Sequence, residues 1–188
     1  MSKRLVILSD IWGCKKGLWI TSYLGYLQSY FDITFYDCRE LGYVDMTVSS
    51  ADYLHNAFLD GGMDAAVKEL LKKEQEPAHY LAFCAGSTIA WKAALKGLPI
   101  QSLYAISPFS LRASLKKPDI PVHLLYGEHQ NLTPDQIRTS EAGLILETIP
   151  KFSHELYTDE KIIQKVCLDL LERNFNIQFK EVNNLEAV

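Results

Sequence analysis

Short apolar runs alternate with stretches whose apolar residues recur every three or four positions. Runs of this length that are apolar on both faces are typical of central parallel strands, and the longer spacing is typical of helices packed on a sheet. The pattern predicts six strands, at Arg4–Ser9, Asp32–Asp37, Ala78–Phe83, Ser102–Ser107, Val122–Gly127 and Leu144–Ile149.

Helical spacing fills the stretches between these strands. Helices are predicted at Gly17–Tyr30, Ala51–Lys73 with an interruption at Gly61–Gly62, Ala85–Lys96, Pro134–Glu141 and Asp159–Glu172. An alternating order of this kind implies crossover connections. We therefore expect an α/β fold in which a mostly parallel sheet of about six strands lies between two layers of helices. Residues 1–172 would form this single domain and residues 173–188 a C-terminal tail.

Composition narrows the possible functions. The 188 residues are 48% hydrophobic and carry a net charge of −4, with no basic cluster larger than a lysine pair, so we expect no nucleic-acid partner. No apolar run is long enough for a signal peptide or a membrane span, which favours a cytoplasmic protein with no membrane partner. The four cysteines lack metal-ligand spacing, so neither a metal site nor another cofactor is expected.

The end of the third predicted strand carries the most informative motif. It has the form Ala82-x-Cys84-x-Gly86, a nucleophile flanked at two residues' distance by small side chains. Small residues let a strand and the following helix pack closely through a strained turn, which lifts the nucleophile into solvent and places it at a helix N-terminus. Backbone N–H groups there favour a thiolate and a developing oxyanion. The alternative is a buried core cysteine at a strand end.

Ligands on parallel sheets bind beyond the carboxyl ends of the strands. Both Cys84 and His154 follow predicted strands, in an order that suits a nucleophile and a general base. Of the other histidines, His129 remains an alternative base, whereas His55 lies within a predicted helix. His79 and His123 lie where predicted strands begin, the wrong end of the sheet.

Five segments in this order, within residues 4–172, resemble the α/β-hydrolase superfamily. They are Leu8–Gly13, Asp37-x-Arg39-x-x-Gly42, the Cys84 turn, Gly127-Glu128-His129-Gln130 with Pro134, and Phe152-Ser153-His154. Asp10-Ile11-Trp12-Gly13 and the Cys apex are most similar to the dienelactone hydrolase branch, although that branch usually has Glu where Asp10 stands.

The resemblance assigns roles to individual residues. Cys84 would be the nucleophile and His154 its base, and Gln130 stands where the superfamily usually has the Asp that orients the histidine. Gln130 would then accept the imidazole N–H through its amide oxygen, as Asn does in papain-like enzymes, or Glu128 would take the acidic role.

The loop after the first strand would complete the site. Backbone N–H groups of Ile11 and Ala85 would form the oxyanion hole. Asp10 would either hold the resting thiol quiet, as the dienelactone branch does, or satisfy loop amides. Trp12 would flank the pocket.

The resemblance implies a hydrolase of carboxylic esters or thioesters that works through a Cys84–His154 acyl-enzyme. Only about fourteen residues separate the fourth and fifth predicted strands, too few for a cap domain. The open pocket would accept a small-molecule ester or a carrier-borne acyl group. Because Gln130 stands where an Asp is expected, the alternative is a catalytically decayed binding protein of the same fold. A flavodoxin-like domain is disfavoured because the first loop lacks a phosphate cradle.

Overall fold

A computed structural model describes residues 2–16, 18–48, 50–109, 111, 116–130 and 143–175 of the chain. Six strands lie in this part: β1 Lys3–Leu8, β2 Phe31–Tyr36, β3 Ala78–Phe83, β4 Ile100–Ile106, β5 Val122–Gly127 and β6 Leu144–Ile149. The helices are α1 Leu18–Leu27, α2 Cys38–Leu41, α3 Ala51–Ala57, α4 Met63–Lys73, α5 Ala85–Leu95 and α6 Glu160–Phe175.

The strands form one sheet in the order β2-β1-β3-β4-β5-β6, and every neighbouring pair is parallel. This confirms the predicted α/β fold with a six-stranded parallel sheet flanked by helices. Helix α1 packs with α6, and α4 packs with α2 and α5. The central strands are buried because helices shield them from water, as their unbroken apolar sequences require.

Several boundaries differ from the predicted ones. Helix α3 ends at Ala57, and an irregular turn over Phe58–Gly62, with Gly61 at a φ of 128°, separates it from α4. Helix α2 was not predicted; its four residues begin where the Asp37 carboxylate accepts the N–H of Arg39. The helix predicted at Pro134–Glu141 lies outside the described residues.

Helix α6 continues three residues past the predicted end of the domain. The Phe175 ring packs against Phe31, with ring centroids 5.1 Å apart, so burial of an aromatic side chain extends the helix into the first residues of the predicted tail. Across the part of the chain that the structure describes, no helix is long and apolar enough to span a membrane.

Candidate active site

An open cleft lies at the carboxyl ends of the strands, as the parallel topology predicts. Its volume is about 740 Å³. It is lined by Ile11, His55, Cys84, Pro108, Phe109, His129, Gln130, Ser153, His154 and Glu155. Only residues 107–121 separate β4 from β5, so this connection is too short to fold as a separate covering domain.

Cys84 sits at a strained turn between β3 and α5. Its φ of 48° and ψ of −113° are unfavourable for a residue with a side chain. Gly86 makes the turn possible, because a Cβ there would lie 2.5 Å from the Ser9 carbonyl oxygen and 2.7 Å from the Leu8 Cβ. The turn places Cys84 at the start of α5, but the side chain is only 1% exposed and does not project into solvent as predicted, because the surrounding loops cover the sulfur.

Three groups converge on the Cys84 sulfur. His154 Nε2 lies 3.1 Å from Sγ, and the backbone N–H groups of Ile11 and Ala85 act on the sulfur as donors that lower the pKa of the thiol. Ile11 follows β1, Ala85 opens α5 and His154 follows β6. The sheet order therefore brings together residues from three separate parts of the chain, at one sulfur atom.

The buried sulfur is a thiol at neutral pH. Burial raises the pKa of Cys84 to about 12, and the Asp10 carboxylate raises it further, while the N–H groups of Ile11 and Ala85 act in the opposite direction. Burial also lowers the pKa of His154, against a smaller opposing effect of Glu155. The resting pair is thus a neutral thiol beside a neutral imidazole.

Gln130 contacts the other ring nitrogen of the histidine, and Glu128 does not. The Gln130 Nε2 lies 2.6 Å from His154 Nδ1, and the Gln130 Oε1 accepts the N–H of Gly127 at 3.2 Å. This orientation is opposite to the expected one, in which the amide oxygen would face the ring. The Glu128 carboxylate instead accepts the Lys151 N–H at 2.8 Å, on the exposed side of the loop.

The loop that carries His154 packs directly on the end of β5. A Cβ at Gly127 would collide with the carbonyl oxygens of Phe152 and Ser153, the former at 2.5 Å. The N–H of His129 donates to the same Phe152 oxygen at 2.9 Å. Glycine at position 127 is therefore what allows the histidine loop to approach Gln130.

Asp10 is buried and fully engaged within the first loop. Its Oδ1 accepts the N–H groups of Trp12 at 2.9 Å and Gly13 at 3.1 Å, and its Oδ2 accepts the Tyr157 hydroxyl at 3.1 Å. Burial raises the pKa of Asp10 to about 6, although these three donors lower it. Its hydrogen bonds are thus those of a loop-stabilising carboxylate, and its charge still acts on the Cys84 thiol.

Trp12 is partly buried and packs against the hydrophobic core. Its backbone N–H donates to the Asp10 carboxylate, which turns the first loop at this point. Among the described residues that line the cleft, Phe109 and Pro108 form the apolar wall, and a flanking role for Trp12 stays a prediction.

Asp37 steadies the first loop from the neighbouring strand. Its carboxylate accepts the Cys14 N–H at 2.7 Å and lies where a side chain at Gly13 would stand. Gly13 has a φ of 61°, which glycine tolerates best. Through this contact the segment after β2 fixes the loop that presents the Ile11 N–H.

Two cleft residues, His55 and Glu155, were not anticipated, and neither was the buried Tyr157. His55 lies on α3, yet its ring packs edge-on against Phe109 at 4.7 Å and faces the cleft. Glu155 follows the histidine and Tyr157 packs beneath it, near Phe83. Proximity to His154 was the one sequence signal for the last two; nothing in the sequence indicated that α3 reaches the cleft.

A second polar cluster lies away from the cleft. Ligand-capable atoms of His123, Glu147 and Asp169 lie within 4.8 Å of one another. The Lys165 ammonium already bridges the two carboxylates, at 3.1 Å from Glu147 and 2.9 Å from Asp169. The cluster is therefore an ion-pair network that joins β5, β6 and α6.

Comparison with known proteins identifies the fold. No protein-family model matches the chain, and no curated protein matches its sequence significantly. Solved structures match it over most of its length. An alpha/beta hydrolase from the metagenome of lagoon sediments at Mar Chica, Morocco, is 17% identical, with a TM-score of 0.61 over 93% of each chain.

Two further structures are similar to the same extent. A carboxylesterase from Bacillus subtilis is 14% identical, with a TM-score of 0.61 over 94% of this chain and 85% of its own. An a/b serine hydrolase without a lid, from Xanthomonas campestris, is 15% identical, with a TM-score of 0.58 over 92% and 83%. The chain therefore has the α/β-hydrolase fold.

Proposed function

We propose that this protein hydrolyses carboxylic esters or thioesters through an acyl-enzyme formed on Cys84, with His154 as general base and acid. One observation carries the proposal: the imidazole and two backbone N–H groups converge on a single buried sulfur at a strained strand-to-helix turn. A core cysteine needs none of these partners. An acyl-transfer nucleophile needs all of them.

The reaction has two balanced halves. In the first, the Cys84 sulfur bonds to the substrate carbonyl carbon, its proton passes to His154 Nε2, and the departing alcohol or thiol takes that proton. In the second, His154 removes a proton from water, the hydroxide attacks the thioester, and the proton returns to the leaving Cys84 sulfur. The products are a carboxylic acid, an alcohol or thiol, and the free thiol.

The N–H groups of Ile11 and Ala85 would hold the oxyanion in both halves. In the resting site these two N–H groups act on the Cys84 sulfur, so they lie beside the atom that attacks the carbonyl. Removal of one such donor typically slows an enzyme by about 100-fold or more.

The cleft supports an accessible acyl substrate. It is open, is about 740 Å³ in volume, and has Phe109 and His55 in ring contact among its lining residues. A small ester fits this space, as does a long acyl group presented by a carrier with only its reactive end in the cleft. The Cys apex and the Asp10–Gly13 segment support a dienelactone hydrolase-like subtype.

Two observations favour a second candidate, a binding protein that retains the fold without catalytic turnover. The position expected to hold a carboxylate is occupied by Gln130. Burial also raises the pKa of Cys84, so its side chain is a thiol at neutral pH. Neither feature helps a base to remove the thiol proton.

Intact-mass spectrometry after brief mixing with p-nitrophenyl acetate tests the proposal. We expect one acetyl adduct on the wild-type protein, formed at least about 1,000-fold more slowly by Cys84→Ala and His154→Ala. Cys14→Ala is the matched control, because Cys14 is exposed and outside the cleft. Labelling spread over several cysteines and insensitive to His154→Ala would instead support the binding protein.

A further inference from the structure

The Gln130 side chain is held between two groups of different chemistry. One is the backbone N–H of Gly127, which can only donate a hydrogen bond, and the other is His154 Nδ1. Of the two ends of a carboxamide, only the oxygen can face the Gly127 donor. The amide nitrogen must then face the imidazole, as observed at 2.6 Å.

This arrangement decides which nitrogen of the imidazole carries the proton. The Gln130 NH2 group is only a donor, so His154 Nδ1 must be the acceptor and has no hydrogen. A neutral imidazole then carries its proton on Nε2. That nitrogen is the one 3.1 Å from the Cys84 sulfur, so an N–H faces the thiol where a base needs a lone pair.

We propose that Gln130 is a positioning residue that holds His154 in the Nε2–H tautomer and thereby keeps the Cys84 thiol unactivated at rest. The consequence for catalysis rests on the proposed hydrolase function. Catalysis requires the Gln130 carboxamide to flip, so that its oxygen accepts a hydrogen bond from a protonated Nδ1 and the Nε2 lone pair becomes free to take the thiol proton.

The flipped Gln130 amide is less stable than the observed one because of its contact with Gly127. Its NH2 group would face the Gly127 N–H, so two donors would oppose each other and the Gly127 hydrogen bond would be lost. One such loss reduces the competent population by about tenfold or more.

A carboxylate at the same position would remove the conflict. Gln130→Glu replaces the side-chain NH2 group by an oxygen and keeps the shape of the side chain. Both oxygens of the carboxylate accept hydrogen bonds. One oxygen would accept the hydrogen bond from the Gly127 N–H, and the other would accept a hydrogen bond from a protonated His154 Nδ1. The Nε2 lone pair would then face the sulfur without any rearrangement of the loop.

Nitrogen NMR of the histidine ring tests the tautomer directly. In long-range 1H–15N spectra at pH 8, the His154 signals are those lost in His154→Ala. We expect Nε2 to be protonated in the wild-type protein, and Nδ1 in Gln130→Glu. Acylation by p-nitrophenyl acetate should become about tenfold faster or more in Gln130→Glu. Gln28→Glu adds the same charge at an exposed site and should change neither the tautomer of His154 nor the rate of acylation.

The two proposals fail in different ways. A wild-type His154 with its proton on Nδ1, or a tautomer unchanged by Gln130→Glu, would overturn the role of Gln130 whatever the activity. The expected spectra with no acetyl adduct on either protein would support the tautomer assignment and overturn the hydrolase.

Discussion

The two halves of the cleft are built from different kinds of atoms. In the nucleophile half, from β1, β3 and α5, the groups around the sulfur are the backbone N–H groups of Ile11 and Ala85. In the histidine half, from the loops after β5 and β6, the contacts are between the side chains of Gln130 and His154. Backbone groups keep their chemistry when the sequence changes, whereas one side-chain substitution in the histidine half alters the protonation of the imidazole.

If this comparison is right, each half should depend on a glycine that permits close approach. The largest effect is expected at Gly86 in the nucleophile half. In Gly86→Ala the new Cβ would meet the Ser9 oxygen at 2.5 Å and the Leu8 Cβ at 2.7 Å, so α5 must move off the sheet. We expect a loss of about 3 kcal/mol in the free energy of unfolding, measured by urea denaturation.

Gly25→Ala is the matched control for this substitution. Gly25 lies in α1, and no atom of the described residues lies within 4 Å of the place where a Cβ would stand. The change should therefore stabilise the protein by about 0.5–1 kcal/mol through helix propensity. Equal effects at the two glycines would show that the turn at Cys84 does not depend on close packing.

The next effect, in the histidine half, should concern activity more than stability. In Gly127→Ala the new Cβ would collide with the carbonyl groups of Phe152 and Ser153 and push the histidine loop outward. A displacement of about 1 Å between His154 and Cys84 would slow acylation by about 100-fold. The measurement is the rate of acetyl-adduct formation by intact mass.

The free energy of unfolding should distinguish Gly127→Ala from Gly86→Ala. The loop after β6 lies at the surface and can shift, so Gly127→Ala should lower the free energy of unfolding by less than Gly86→Ala does. An unchanged acylation rate would mean that the Gly127 contact does not position His154.

The sequence was informative wherever a local motif dictates geometry. The strained turn at Cys84 follows from small residues at 82 and 86, and the positions of Ile11 and His154 follow from strand ends in a parallel sheet. The orientation of Gln130 could not be predicted, because it depends on a backbone N–H at Gly127 that only the folded loop places nearby. His55 was missed for a similar reason: the path of α3 over the cleft is a tertiary property.

The smallest expected effect concerns the charge in the nucleophile half. Burial raises the pKa of Asp10 from 3.8 to about 6, so the folded state binds the proton more tightly than the unfolded state. The associated stability is therefore complete below about pH 4 and is lost as the pH rises through 6. Asp10→Asn keeps an oxygen acceptor for Trp12 and Gly13 and cannot ionise, so it should escape this loss.

We expect the stability difference between Asp10→Asn and the wild-type protein to increase by about 2 kcal/mol in favour of the variant from pH 4.5 to pH 7.5. Urea denaturation at the two pH values measures it, and Asp52→Asn controls for the removal of one exposed carboxylate. A difference that is the same at both pH values would mean that Asp10 ionises without the cost of burial. Asp10 would then carry its full charge beside the Cys84 thiol from about pH 4 upward at no cost in stability, and the first loop would favour the protonated thiol without destabilising the fold.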